Sequence, residues 1–183
     1  MVIILHNIRS QYNVGSIFRT ADAAGVEKLY ICGVTSAPVD RFGKVRSKIA
    51  KTALGAEALV SWDGSARSPR AVYQLIARLK KDGYKIVAIE QDKRAIPYYK
   101  LDSRLRGNDK LALVLGAEVT GLPKTILAKC DTIVEIPMRG AMVRQTHHPR
   151  ITRRGKWFGG IHHKESLNVS VAFGIIVFHA LYS

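Results

Sequence analysis

Acidic residues are scarce in this chain of 183: 14 Asp and Glu stand against 29 Lys and Arg, a net charge of +15. That shortage favours a polyanion as partner, nucleic acid before membrane, because neutralising phosphates releases counterions. A basic solvated surface with no ligand is the plain alternative. Cysteine is nearly absent as well. Cys32 and Cys130 lie far apart and match no metal or redox spacing, so they read as reduced, buried thiols of a cytosolic protein. Long apolar runs are missing too. Val2–Leu5 is too short for the apolar core of a signal peptide and reads as a first strand. The run from Leu167 to Leu181 is broken by Asn168, Ser170 and His179, so it reads as a buried helix rather than a membrane span. No membrane partner is expected.

Two common nucleotide signatures are also absent. Gly116 and Gly121 have the glycine spacing of a phosphate loop, but Leu122-Pro123 stands where Lys-Ser/Thr is required. No strand is followed by GxGxxG. What Gly116 does offer is a turn at which a ligand can approach the backbone closely.

The apolar and charged content is that of an ordinary globular protein, and the length suits one domain. Strands are expected at Val2–His6, Lys28–Gly33, Glu57–Trp62, Tyr84–Glu90, Leu111–Leu115 and Thr132–Ile136. Helices are expected at Val14–Ala24, Pro69–Lys81, Leu122–Lys129 and Leu167–Tyr182. Continuous apolar strands alternating with helices predict an α/β fold, a mostly parallel sheet covered on both faces. Ligands of such sheets bind beyond the strand carboxyl ends, where the residues after Leu115 and after Ile136 fall.

Taken singly, the polar residues are ambiguous. Glu118 is either a solvated loop carboxylate or a site acid. Asn13 reads as the N-cap of the first helix, and Ser166 as the N-cap of the last. Arg19 projects from an otherwise apolar helix, so it snorkels, pairs with Asp22, or binds a phosphate with its fork of donors.

Taken together they form a pattern. Asn13-Val-Gly-Ser-Ile-Phe-Arg19-Thr-Ala-Asp, Leu115-Gly-Ala-Glu118-Val-Thr-Gly121, Ile136-Pro-Met138, and Ser166-Leu-Asn168-Val-Ser-Val-Ala resemble the three motifs of SpoU-type (TrmH-like) RNA 2′-O-ribose methyltransferases of the SPOUT superfamily. The resemblance covers residues 1–140 and 165–183 in order. It implies a C-terminal deep trefoil knot, an exception to the rule against knots. It also implies a cytoplasmic homodimer, S-adenosyl-L-methionine (AdoMet) as cofactor, and methyl transfer to a ribose 2′-OH of tRNA or rRNA. Residue by residue, it assigns cofactor contacts to Leu115, Gly116, Ile136, Met138 and Leu167. The catalytic set is Arg19, Asn13, Glu118, Ser166 and Asn168, with no metal. A guanidinium is a poor base, so Arg19 is expected to grip the neighbouring phosphate and stabilise charge on the 2′-oxygen, with Asn13 and Glu118 orienting that arginine or the ribose. A catalytically impaired knotted RNA-binding protein and a SPOUT base methyltransferase are the alternatives.

There are departures from the pattern. Ala117 stands where many members carry Asn or Ser. The N-terminal RNA-binding extension usual in the family is not found, so recognition is expected from the core, from basic stretches such as Arg41–Lys51, or from a second subunit. Residues 141–163 read as an insertion in a single domain spanning residues 1–183. The segment holds five Lys and Arg, four of the six histidines and no acid, without sustained periodicity. It is an RNA-binding loop, a histidine metal site, or an accidental insertion that is inert or disables the cofactor site. Lys100–Lys110 is a second foreign stretch, similar to decapeptides left by palindromic repeats in some bacterial reading frames.

Overall fold

The computed structural model describes residues 1–101, 110–138 and 166–182, and the backbone pairs 143–144, 150–151, 157–158 and 162–163. Two compact units emerge, one of residues 1–136 with 168–183 and a second of residues 137–167.

The first unit is built on seven parallel strands. They are β1 (Val2–His6), β2 (Lys28–Cys32), β3 (Trp62–Asp63), β4 (Lys85–Ile89), β5 (Ile96–Pro97), β6 (Leu111–Leu115) and β7 (Thr132–Glu135). Their order across the sheet is β3-β2-β1-β6-β4-β7-β5. β1 and β6 are apolar and buried at nearly every position because the sheet is covered on both faces. Alternate residues feed opposite cores. Ile3, Leu5, Leu111, Leu113 and Leu115 pack with helices α1 (Gln11–Ala23), α2 (Ser47–Ala53) and α6 (Val169–Tyr182). Val2, Ile4, Ala112 and Val114 pack with α4 (Pro69–Lys81) and α5 (Lys124–Leu127).

α4 follows its sequence signals closely. Ser68 caps it by accepting from Ala71 N–H, Pro69 opens it, and Val72, Leu75, Ile76 and Leu79 form its buried stripe. Elsewhere the structure corrects the expectations. Residues 57–59, expected as the start of a strand, lie in a short helix, α3 (Ala56–Leu59), and only Trp62–Asp63 pairs as β3. α1 begins at Gln11 with Ser10 as its cap, so Asn13 is not the N-cap. α6 begins at Val169, and Asn168 Oδ1 accepts from the Ser170 N–H (2.9 Å), so Asn168 and not Ser166 caps that helix. α2 was not foreseen. It lies against α1 at Gly15, where a Cβ would fall 2.1 Å from Thr52 Oγ1 and 2.3 Å from the Ile49 carbonyl.

The second unit contains two antiparallel ladders, Val143–Arg144 with His162–His163 and Arg150–Ile151 with Trp157–Phe158. Residues 141–163 are therefore not wholly without secondary structure. The side chains of the four histidines considered as a metal site lie outside the described residues, as do Arg139 and Gly140. Among the described residues no helix is long and apolar enough to cross a membrane.

Candidate active site

β1, first in sequence, runs in the middle of the sheet, and the chain builds outward from it to β2 and β3 before crossing to β4. β6 then returns to lie between β1 and β4. The loops after β1 and β6 thus leave side by side at a topological switch point, the place where such sheets bind ligands.

Glu118 stands there. Its carboxylate accepts from the Arg9 N–H (3.1 Å), the Ser10 N–H (3.0 Å) and Asn13 Nδ2 (2.9 Å). The first two donors are orphan amides just ahead of α1, and a helix N-terminus favours negative charge. Burial pushes the Glu118 carboxyl up, but the backbone and Asn13 hydrogen bonds outweigh it and hold the group below the usual carboxylate range. Asn13, with its amide nitrogen engaged, turns Oδ1 to accept from Asn168 Nδ2 (3.1 Å). Asn168 Oδ1 in turn accepts from the N–H and hydroxyl of Ser170 (2.9 and 2.7 Å). A relay Asn168–Asn13–Glu118 therefore joins the starts of α1 and α6 to the loop after β6.

The stitching continues along the edge in strand order. Arg67, after β3, donates to the carbonyls of Gly33 (3.2 Å) and Thr35 (2.6 Å), after β2. Thr35 Oγ1 accepts from Ile8 N–H and donates to the Leu5 carbonyl, both at 3.0 Å. On the far side Glu90, at the end of β4, accepts from the Leu122 N–H (2.7 Å) and the Gln91 N–H (3.1 Å). Sequence reading missed Glu90, Thr35 and Arg67. For Glu90 a signal existed, an acid closing an otherwise apolar strand.

Gly116 has a reason within the chain itself. A Cβ there would meet the chain's own backbone, 2.6 Å from Gly121 C and Leu122 N. Residues 117–121 form a tight loop closed by Gly121 N–H to the Ala117 carbonyl (2.9 Å), with Gly121 at φ +64°. Glycine is required at 116 for the loop to fold back over it.

Arg19 is elsewhere. It is exposed on α1 and lines an open groove of about 510 Å³ with Ser16, Thr20 and Ala23, Lys51 and Thr52 of α2, and Phe178 of α6. No described residue pairs with its guanidinium, Asp22 included. Asn13 and Glu118 bond to each other and not to Arg19, which leaves the ribose as what they would orient within this chain. Of the expected cofactor residues, Leu115 is fully buried and can offer a ligand only its backbone, Gly116 begins the tight loop, and Ile136 is half-buried against the core. β4 lies between β6 and β7, so these strand ends stand about two strand spacings apart, roughly 10 Å. Met138, Leu167 and Ser166 belong to the second unit, where Ser166 is exposed and the other two are half-buried. No group of metal-binding side chains occurs among the described residues.

Comparison with known proteins places this geometry. The SpoU rRNA Methylase family model matches residues 1–143. The chain belongs to this family. A relative, the 23S rRNA (guanosine-2′-O-)-methyltransferase RlmB of Xanthomonas axonopodis pv. citri, is 31% identical over 99% of the chain. The chain spans 58% of that relative's length. Among solved structures, an A. aeolicus TrmH/SpoU tRNA modifying enzyme superposes over 98% of the chain and 72% of its own, with TM-score 0.71 and 25% identity. An AdoMet-bound rRNA methyltransferase from Sinorhizobium meliloti shares the fold, with TM-score 0.71 and 24% identity over 98% of this chain and 54% of that one.

Proposed function

We propose that the protein transfers a methyl group from AdoMet to a ribose 2′-OH of RNA, with guanosine in 23S rRNA the first substrate to test given the RlmB relative. The observation that carries this reading is the relay Asn168–Asn13–Glu118. It joins residues 155 and 105 positions apart at the one sheet edge where a ligand is expected. AdoMet, when bound, supplies an electrophilic methyl on a positively charged sulfur.

The chain's own residues do the rest. The ends of β6 and β7, Leu115-Gly116 and Ile136, would hold the nucleoside; Met138 and Leu167 are cofactor residues by the family resemblance alone. Glu118 is saturated by donors and stays anionic, so it acts as an anchor and not as the base. Asn13 and Asn168 are positioning residues that fix the starts of α1 and α6. Arg19 is the catalytic candidate: its free guanidinium can hold an RNA phosphate bidentately and stabilise charge developing on the 2′-oxygen. The hydroxyl proton leaves to solvent.

A homodimer belongs to this reading. α6 is apolar on both sides. Phe173, Ile176, Val177 and Ala180 face the core, while Val171, Ile175, Phe178 and Tyr182 form an exposed stripe at helical spacing. A second copy covering that stripe would lie beside Phe178 and hence beside Arg19, which could then serve the partner's site. The deep knot and the assignment of residues 1–183 to one domain with an insertion at 141–163 are parts of the same proposal.

Light scattering and isothermal titration with AdoMet, followed by nucleoside mass spectrometry of methylated 23S rRNA transcript, test the reading. Dimers that bind AdoMet and yield a 2′-O-methylnucleoside support it; methyl groups on a base would make it a base methyltransferase instead. A second reading is favoured by the separate compact unit at residues 137–167, which interrupts the connection between the cofactor motifs. In it the protein binds RNA but no longer AdoMet. A folded dimer without AdoMet affinity would select it.

A further inference from the structure

Between β2 and α2 the chain forms a small finger. Val39 and Val45 bridge in antiparallel fashion, and Asp40 and Lys44 close the turn through Asp40 N–H to the Lys44 carbonyl (2.9 Å). Asp40 Oδ1 accepts from both the Phe42 N–H (2.8 Å) and the Lys44 N–H (3.0 Å), and Gly43 takes the positive φ of +78° that the tip requires. The only acid of the finger is therefore spent on holding it together.

What the finger displays is a ring. Phe42 is 79% exposed, and the Arg41 guanidinium lies over it at 4.7 Å from the centroid. Lys44 and Arg46 flank the turn, and α2 continues from it through Lys48 to Lys51, which lines the Arg19 groove. An apolar ring held in water by a built turn contributes nothing to the core. A cation stacked on it and a basic track beside it match the chemistry of a nucleobase with its phosphates. α2 is seven residues long, so the finger base stands about 10 Å from the groove. Adjoining nucleotides of one strand could occupy both.

We propose that Phe42 and Arg41 form a stacking platform for an unpaired base of the RNA substrate, close along the strand to the nucleotide held at Arg19. The inference rests on the RNA reading above and adds to it that the substrate is single-stranded at this point. A duplex keeps its base faces stacked inside, where Phe42 cannot reach them.

Fluorescence anisotropy with a labelled single-stranded oligouridylate, and with a duplex RNA of equal length, tests it. Wild type is expected to prefer the single strand. Phe42→Ala should weaken that binding on the order of tenfold, with an unchanged slope against salt, because stacking releases no counterions. Phe42→Trp should retain affinity and show indole quenching on RNA addition. Lys44→Ala should lower the salt slope by about 0.7, the value for one phosphate of a single strand. Leu59→Ala removes another exposed apolar side chain (74%) and should change nothing. The inference is overturned if Phe42→Ala binds as wild type does, if Leu59→Ala loses as much, or if wild type favours duplex. AdoMet titration on the same samples separates the two readings. Retained AdoMet binding with an indifferent Phe42 sinks the platform alone, whereas absent AdoMet binding sinks the methyltransferase and leaves the platform to be judged by RNA affinity.

Discussion

Replacing Glu118 by Gln should destabilise the protein and flatten part of its acid-side stability profile. The carboxylate accepts three hydrogen bonds from Arg9, Ser10 and Asn13. Bonds to a charged group contribute about 1.5–3 kcal/mol each in favourable settings. Glu118 is only partly buried, so solvent screening cuts that sum, and about 2 kcal/mol is the expected net loss. For a domain of this size that corresponds to a fall in Tm of roughly 4–8 °C. The pH dependence carries the sharper test. Folding holds Glu118 below its ordinary value of 4.5. The native state therefore binds fewer protons than the unfolded one in that window, and the stabilisation is complete above about pH 4.5. It is lost as pH falls through the lower folded value. Urea unfolding of wild type and Glu118→Gln should give curves that run parallel above pH 5 and converge below 4.5. Curves parallel all the way down, or a Tm unchanged by the substitution, would refute the claim that Glu118 is a charged anchor.

Other outcomes follow from the same geometry. Gly116→Ala places a methyl 2.6 Å from backbone that cannot rotate away, so a loss at the upper end of the ~1–3 kcal/mol range for overpacking is expected in thermal melts, with AdoMet affinity falling in titration. Arg19→Ala should lower kcat by about 10²–10³ while leaving AdoMet affinity and Tm near wild type, since no described residue depends on that guanidinium. Burial pushes the Cys32 thiol up to about 12 and Cys130 up to about 11, so neither should react with Ellman's reagent near pH 8 until denaturant is added.

The parts of this fold that the sequence made legible are those where local signals agree. β1, β6 and α4 are bounded as expected because apolar runs, Ser68-Pro69 and Gly83 all point the same way. Residues 57–62 misled because EALVSW is apolar enough for a strand, while the backbone follows Gly55 at φ +96° into a helical turn over Ala56–Leu59. Caps slipped by a few residues where two candidates compete. Ser10 and Asn13 can each cap α1, and Asn13 is instead drawn to Glu118 by tertiary contact. The membership of Asn13, Glu118 and Asn168 in one group was visible only as a resemblance. Their bonding could not be read, because it depends on β6 inserting beside β1. Arg19's separation from them was equally hidden, since it is set by the helical phase of α1 and the approach of α2 at Gly15. The acid closing β4, Glu90, supports the 117–122 loop and left only a faint trace in the sequence.

Transfer of a labelled methyl group tests the central claim most directly. The full chain, incubated with methyl-tritiated AdoMet and unmodified 23S rRNA transcript, should place the label on a ribose 2′-oxygen, and Arg19→Ala should largely abolish it. Label on a base, or none from a folded protein that binds the RNA, would contradict the account.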